Sequence, residues 1–279
     1  MLTVSELKAI LAKYEIRPKR YLGQNFLVDQ NIAEKIIQKC RFSSVDYVLE
    51  IGAGLGALTE RLGNLVAQVI AVEKDKRLCA VLSESLKGLD NVKIVCADFL
   101  KLDLRGMLTA DTVKIKVIGN LPYYITTPII EKLIANKDRF NSIFITVQKE
   151  VAQRLCANPG SKEYGAISCF VQFHLKPDVL FHIGKRAFYP CPQVDSIFLE
   201  LDVLPTPPVQ VINGDIFFKI IRSAFGKRRK TILNSLSASK LLKLKKADLL
   251  AVFKRIGIDP NVRPEQLSLD EFARIANAI

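Results

Sequence analysis

The fold is decided by the stretch Tyr47-Val48-Leu49-Glu50-Ile51-Gly52-Ala53-Gly54-Leu55-Gly56. A short apolar run leads into a loop with glycine at every second position, which is typical of a buried strand followed by a turn where a ligand can approach the backbone. The G-x-G-x-G spacing differs from the G-x-G-x-x-G fingerprint that holds a dinucleotide pyrophosphate at a helix N-terminus. The spacing therefore disfavours NAD, while a tight turn without a ligand stays open at this point.

Short β-rich runs alternate with longer amphipathic stretches on both sides of this loop, between residues 30 and 200. We predict strands at residues 47–51, 69–73, 92–96, 115–118 and 142–147. Further apolar runs at 166–173 and 196–202 are read as later strands, candidates for an antiparallel edge of the same sheet. The alternation predicts βαβ units and a mostly parallel sheet, hence the α/β class.

A second, smaller domain is predicted after the prolines at 205, 207 and 208, which cannot continue a helix or a central strand. Beyond them the apolar pattern is helical at 215–225, 231–236, 241–256 and 268–278. We therefore expect an α/β domain over residues 1–204 and an all-α domain over residues 205–279. The second domain carries 14 Lys and Arg residues against 6 Asp and Glu, which is eight of the net 13 positive charges of the chain.

Composition and charge narrow the class of protein. The excess of 41 basic over 28 acidic residues favours a polyanionic partner such as nucleic acid, although a merely basic surface is a common alternative. We expect no membrane segment, a cytoplasmic location and a monomer. The six cysteines form no C-x-x-C pair, so we predict reduced, mostly buried thiols and no metal site. The N-terminus is read as a short amphipathic helix followed by a basic arm.

Acidic residues end the second and third predicted strands. Glu73 is placed to accept hydrogen bonds from both hydroxyls of a ribose, and Asp98 to accept one from an adenine amine, with Phe99 covering the ring. Each acid alone would be an ordinary strand-end charge. Because the carboxyl ends of neighbouring parallel strands meet at one edge, the glycine loop and the two acids together predict a site for an adenine nucleoside cofactor.

The fourth predicted strand leads into Asn120-Leu121-Pro122-Tyr123. An adenine amine is a poor nucleophile because its lone pair is delocalised into the ring. The Asn120 side-chain oxygen and the Leu121 carbonyl can accept its two N–H bonds and aim the lone pair at a methyl donor. Pro122 stiffens the turn and Tyr123 can stack on the base. Alone the tetrapeptide is a plain turn, but after three cofactor-type strand ends it indicates amine methyl transfer.

The chain resembles the bacterial small-subunit rRNA adenine dimethyltransferases, the KsgA family, over almost its whole length. The resemblance is carried by ordered motifs: residues 20–27 (R-Y-L-G-Q-N-F-L), the glycine loop, Glu73, 97–98, 120–123, 148–152, 164–165 and 188–196. It implies a Rossmann-like class I S-adenosylmethionine-dependent methyltransferase domain with a small C-terminal helical domain. The implied contacts to S-adenosylmethionine come from Asn25, Leu27, Gly52, Gly54, Glu73, Asp98 and Asn120. The implied contacts to the target adenine come from Asn120, Leu121 and Tyr123, with Phe188 as a second aromatic wall.

The resemblance also implies the reaction and the partner. The family dimethylates the N6 amines of two adjacent adenosines in a hairpin near the 3′ end of 16S rRNA, within a partly assembled small subunit. Basic residues are then expected to contact RNA phosphates: Arg17, Lys19, Arg20, Lys227, Arg228, Arg229 and Lys230. Two alternatives stay open, a large-subunit rRNA adenine methyltransferase of the macrolide-resistance type and a mainly non-catalytic ribosome-assembly factor.

Overall fold

A computed structural model describes residues 4–18, 23–107, 115–227 and 229–279 of the chain. The chain divides into two compact units. The first, here called the sheet unit, combines Met1–Ala152 with Asp178–Val203. The second, called the helical unit, combines Gln153–Pro177 with Leu204–Ile279. In the described ranges, no helix is long and apolar enough to cross a membrane.

The strands of the described chain are two to nine residues long. They are β1 Phe26–Leu27, β2 Tyr47–Ile51, β3 Gln68–Glu73, β4 Val92–Cys96, β5 Ile115–Asn120, β6 Phe140–Gln148, β7 Leu175–Ile183, β8 Phe188–Tyr189 and β9 Ser196–Val203. The first helices are α1 Val4–Lys13, α2 Gln30–Lys39, α3 Thr59–Gly63, α4 Lys76–Ser85, α5 Leu104–Met107 and α6 Thr126–Ala135. The later ones are α7 Lys149–Leu155, α8 Ala166–His174, α9 Gly214–Phe225, α10 Ile232–Ser237, α11 Lys246–Ile256 and α12 Leu269–Asn277.

Seven strands form one sheet in the order β4-β3-β2-β5-β6-β9-β7, which confirms the predicted α/β class. Strands β2 to β6 pair in parallel, and β9 runs antiparallel to β6. The predicted strand at 196–202 is therefore confirmed, but it lies between β6 and β7 and not at the edge. Because Ile51 pairs with both Val72 and Gly119, the loops after β2, β3 and β5 leave the same edge of the sheet.

Burial explains why these runs become strands. Val48, Leu49 and Ile51 of β2 are all at most 2% exposed, so the strand is covered on both faces, as a central parallel strand requires. Helices α2, α3 and α4 contribute Ile36, Leu62 and Leu82 to the same core. The amphipathic N-terminal helix is confirmed as α1.

The helix α1 is held against the sheet unit by a small apolar cluster of its own. Leu7 and Leu11 of α1 pack with Phe26 of β1 and with Leu78 and Val81 of α4. Phe26 in turn precedes Leu27, which pairs with Phe188 in the two-stranded sheet of β1 and β8. Strand β1 is therefore held on both sides.

Residues 166–173 form helix α8 and not the predicted strand. An unbroken apolar run fits either structure by periodicity, and here the N-terminus of the run is stabilised as a helix start. The Ser168 hydroxyl accepts a hydrogen bond from the Gly165 N–H at 3.0 Å and donates to the Arg154 carbonyl at 2.5 Å. Phe173 then packs on Phe217 with ring centroids 4.9 Å apart.

That packing also moves the domain boundary away from the expected one. The last passage of the chain from the sheet unit into the helical unit, between Val203 and Leu204, lies within one residue of the predicted division. Residues 153–177, however, were expected in the first domain and join the helical unit. The reason is tertiary: Tyr164, Cys169 and Phe173 share one core with residues of α9 to α12. The predicted all-α character of residues 205–279 agrees with those four helices, of which α11 is shorter than expected.

Two cysteines depart from the prediction of reduced thiols, since Cys79 and Cys96 form a disulfide. Cys96 ends β4 and pairs with Glu73 at the end of β3. Helix α4 starts three residues after Glu73 and brings Cys79 back, so the two Cα atoms lie 5.9 Å apart, within the usual range for a disulfide. A spacing of 17 residues in sequence shows none of this.

Candidate active site

The loops at the carboxyl edge of β2, β3, β4 and β5 surround a cleft of about 600 Å³. This carboxyl-edge cleft is lined by most of the predicted cofactor residues. They are Asn25, Gly52, Gly54, Glu73, Asp98 and Asn120. The three predicted strand ends therefore meet at one cleft, while the cofactor contacts of these residues stay predictions. Leu27 lines a neighbouring cavity of about 260 Å³ that shares Asn25, Gly52 and Asn120 with the cleft.

The glycine loop bends over the end of β3. Gly52 and Gly54 have φ of +77° and +59°, values that glycine adopts without the steric cost other residues meet. The Gly52 N–H donates to the Val72 carbonyl at 2.8 Å, and the Gly54 N–H donates to a Glu73 carboxylate oxygen at 2.9 Å. The loop is thus fixed by the strand next to it, and its backbone faces the cleft without side chains in between.

Glu73 is a buried carboxylate that is already partly satisfied by the backbone. One oxygen accepts from Gly54, and the other accepts from the N–H groups of Lys74 and Asp75 at 2.8 and 2.9 Å. Burial raises the pKa of Glu73 above its usual value, and the three backbone donors oppose that rise. A carboxylate offers about four lone-pair sites, so Glu73 retains capacity for a ligand hydroxyl.

Asp98 faces the same cleft from the end of β4. Its side chain accepts from the Leu100 N–H at 3.0 Å and forms an ion pair with Lys74 at 2.9 Å. The hydrogen bond from Lys74 is the main reason that the pKa of Asp98 lies below its usual value. Asp98 is therefore an ionised acceptor beside the buried ring of Phe99, which suits an amine on a flat aromatic heterocycle.

Asn120 is held in place by the segment before β1. Its amide nitrogen donates to the Asn25 carbonyl at 3.0 Å, which leaves the amide oxygen as the acceptor. Gly23 makes the approach possible: it has φ +61°, and a Cβ there would lie 3.1 Å from the Tyr123 nitrogen and 3.2 Å from Pro122. Asn25 and Asn120 were both predicted to contact the cofactor. The hydrogen bond from the Asn120 side chain to the Asn25 carbonyl was not predicted.

The Asn120–Tyr123 turn is held by strand β6 and by the buried side chain of Leu121. Leu121 has a buried side chain, and its N–H donates to the Thr146 carbonyl at 3.1 Å. This bond ties the turn to β6. Pro122 lines the cleft and its carbonyl accepts from the Ile125 N–H at 3.1 Å. Asn120 and Pro122 line the cleft, and the predicted role of the Leu121 carbonyl as a second acceptor for an amine stays a prediction.

The two aromatic residues predicted to hold the target base, Tyr123 and Phe188, are half-buried and buried. Tyr123 is half-buried, and its hydroxyl forms a 3.0 Å hydrogen bond with that of Ser196. Phe188 is 3% exposed and belongs to the main core of the sheet unit. Their roles as walls for a flipped base stay predictions. The aromatic side chain that does line the cleft beside this turn is Tyr124, which sequence reasoning did not single out.

Glu50 is a second residue that sequence reasoning missed, although it stands directly before the glycine loop. It lines the smaller cavity and is 3% exposed. Burial, with a further contribution from the charge of Glu73, raises the pKa of Glu50 to about 8. A carboxyl with such a pKa can carry a proton near neutrality, and its position in a strand covered on both faces is the signal that could have revealed it.

The basic residues expected to contact RNA fall in two places. Arg17 is exposed after α1 in the sheet unit, while Lys227, Arg229 and Lys230 are exposed in the turn between α9 and α10 of the helical unit. Lys19, Arg20 and Arg228 lie outside the described residues. Within the described part of the chain, no cluster of His, Cys, Asp or Glu could hold a metal ion.

Comparison with known proteins agrees with this geometry. The family model described as ribosomal RNA adenine dimethylase matches residues 16–279. The chain belongs to this family. Ribosomal RNA small subunit methyltransferase A of Alkaliphilus oremlandii is 44% identical over 272 residues, 97% of this chain and 94% of that protein.

Two solved structures share the fold of this dimethylase family member. A dimethyladenosine transferase from Plasmodium falciparum superposes with a TM-score of 0.73 at 26% identity, covering 88% of this chain and 94% of that one. The 23S rRNA methyltransferase ErmE gives 0.69 at 23% identity, covering 91% and 99%. The second likeness shows the shared fold alone. The chain is therefore a methyltransferase with a Rossmann-like α/β domain, as the sequence predicted.

The close approach of Gly23 to the Asn120–Tyr123 turn can be tested by substitution. In Gly23→Ala the new methyl group meets the Pro122–Tyr123 backbone and pushes Asn25 away from Asn120. We expect methyl transfer to fall by about 100-fold, the loss that a misplacement of about 1 Å can cause. Gly257→Ala is the control, because Gly257 has a similar φ of +67° with no atom within 4 Å of a Cβ. It should unfold slightly more easily and keep its activity, and equal activity in both variants would refute the contact.

The burial of Glu50 generates a prediction about pH. Since its pKa is raised to about 8 in the folded chain, its contribution to stability is complete below the unfolded value and is lost as pH rises through about 8. Relative to Glu50→Gln, the free energy of unfolding of the native protein should fall between about pH 5 and 8, by at most about 1.4 kcal/mol per pH unit. Urea denaturation measures it, and Glu131→Gln, at an exposed position, serves as control. Parallel pH curves for native protein and Glu50→Gln would contradict this assignment.

Proposed function

We propose that the chain transfers methyl groups from S-adenosylmethionine to the N6 amines of two adjacent adenosines in a hairpin near the 3′ end of small-subunit rRNA. The observation that carries the proposal is the Asn120 amide, fixed by Asn25 with its oxygen as acceptor at the cleft edge. Membership in the ribosomal RNA adenine dimethylase family supports the reaction, and the names of its relatives support the small subunit. The cytoplasm, where ribosomal subunits assemble, is the proposed location.

The residues of the cleft fit the proposed cofactor. Glu73 has a remaining acceptor site for a ribose hydroxyl, Asp98 is an acceptor for the adenine amine, and the loop at Gly52 and Gly54 leaves room for the remainder. S-adenosylmethionine supplies a methyl group made electrophilic by a positively charged sulfonium. Because that charge disperses during transfer, the chain has to orient the attacking amine more than to deprotonate it.

The chain's own part in the reaction is to orient the amine. The Asn120 side-chain oxygen and the Leu121 carbonyl accept the two N–H bonds of the target amine, which withdraws its lone pair from the ring and directs it at the methyl group. A target base must leave its stack to reach these acceptors. Tyr123, held by Ser196, and Phe188 stay the proposed walls for the flipped base.

Asn120→Ala tests the catalytic assignment. Without the side-chain acceptor we expect methyl transfer to undermethylated small subunits to become undetectable, while binding of the particles stays within about threefold, since most RNA affinity comes from phosphate contacts. Labelled cofactor and mapping of methylated adenosines measure the first, and filter binding measures the second. Asn64→Ala, at an exposed asparagine, is the control.

Each outcome of that experiment separates the alternatives. Turnover retained in Asn120→Ala would remove Asn120 from the catalytic role. Products of the native protein on large-subunit RNA would favour the macrolide-resistance type of activity. Particle binding without any methylation by the native protein would favour the assembly factor.

The turn between α9 and α10 is proposed to bind RNA phosphates. Replacing Lys227, Arg228, Arg229 and Lys230 by alanine should weaken particle binding and make its dependence on log salt shallower, by about 0.7 to 0.9 for each phosphate that the variant no longer neutralises. The matched control removes the same charge from Lys240, Lys243, Lys245 and Lys246 of the same unit. Identical salt slopes in native protein and the first variant would show that the turn is only a solvated surface.

A further inference from the structure

Tyr124 stands out among the exposed apolar side chains of the described residues. It is 51% exposed, and of the large apolar residues with exposed side chains in those ranges it alone lines the carboxyl-edge cleft. Its hydroxyl forms no hydrogen bond within the described part of the chain. An aromatic ring open to solvent at the mouth of a cleft is available to a planar ligand that stacks on it.

The backbone under Tyr124 is rigid. Residues Tyr123–Ile125 form a single 3₁₀ turn, closed by the Ile125 N–H on the Pro122 carbonyl at 3.1 Å. The hydroxyl of the buried Thr126 donates to the same carbonyl at 3.2 Å. The ring of Tyr124 is therefore carried by a fixed turn, one residue beyond Tyr123, and is suited to serve as a preformed platform.

The two consecutive tyrosines are held in different ways. The hydroxyl of Tyr123 is bound to Ser196, so its ring is tied to β9 on the inner side of the turn. Tyr124 has no such anchor among the described residues and faces the cleft. One turn thus presents two aromatic rings, an inner one beside the acceptors Asn120 and Leu121 and an outer one at the mouth.

We propose that Tyr124 stacks on the base of the nucleotide next to the target adenosine. This inference rests on the proposed function, in which one adenosine leaves its stack to reach Asn120. Its neighbour then loses a stacking partner, and an open aromatic ring is the usual protein substitute in single-stranded RNA. Because the two target adenosines are adjacent, Tyr124 holds one of them while the other reacts.

The first test compares variants at position 124. In Tyr124→Leu the side chain stays apolar but the ring is removed, and we expect kcat/KM for undermethylated small subunits to fall about tenfold, within the range for one base–aromatic stack. Tyr124→Phe keeps the ring and should stay within about twofold of the native value. Affinity for S-adenosylmethionine, measured by calorimetry without RNA, should change in neither variant. Val45→Ala is the control, since Val45 is 74% exposed and precedes β2 at the opposite edge of the sheet.

The second test removes the partner base. Small subunits are reconstituted with one of the two adenosines replaced by an abasic nucleotide, and methylation of the other is scored. If Tyr124 stacks on the missing base, base removal and Tyr124→Leu each lower kcat/KM about tenfold and together lower it no further. Multiplying losses, or a Tyr124→Phe variant as slow as Tyr124→Leu, would overturn the inference. A native protein inactive on intact particles would instead overturn the proposed function itself.

Discussion

The site depends on the hydrogen bond from the Asn120 amide to the Asn25 carbonyl. It joins the N-terminal segment to the end of β5, and it requires Gly23, whose missing Cβ lets the segment lie against the Pro122–Tyr123 backbone. The two residues after Asn25 are held in turn, since Phe26 packs against helix α1 and Leu27 pairs with Phe188 of β8. A residue 95 positions before Asn120 thereby decides which atom of the Asn120 side chain faces the cleft.

Much of the α/β architecture could be predicted because a buried parallel strand and the loop after it have a recognisable local sequence, an apolar run followed by glycine or an acidic residue. The apolar run before Gly52, and the acids Glu73 and Asp98 at strand ends, are visible in sequence, and their common edge follows from the sheet. Helix α8 could not be predicted, since an unbroken apolar run has no period that separates helix from strand. Its partners, such as Phe217, lie more than 40 residues away. The Cys79–Cys96 disulfide has the same origin, a contact created only when α4 folds back on β4.

The candidate site shows the same division. Residues with a chemical role, such as Asn120, could be predicted from the motif around them. The solvent exposure of a side chain could not be predicted in this way. Phe188 and Tyr124 are both aromatic residues two positions from a proline. Phe188 is nevertheless buried in the core, and Tyr124 is open to the cleft. Glu50 could not be recognised from the sequence because its environment, and not its residue type, makes it unusual. Its burial on both faces of β2 changes the protonation of a carboxyl that sequence shows only as one more charge.

The direction of β9 has a consequence for how such a protein can diverge. Because β9 runs antiparallel to β6 and Ser196 pairs with Gln148, the start of β9 lies at the same edge as the ends of the parallel strands. The chain between Tyr189 and Ser196 reaches this edge, where the Ser196 hydroxyl meets that of Tyr123, without belonging to any strand that carries the glycine loop, Glu73 or Asp98. Changes of length in this segment would therefore alter the surroundings of Tyr123 and leave the strands that end at Glu73 and Asp98 as they are. A single reversed strand thus brings to this edge a stretch of chain whose length the parallel strands do not set.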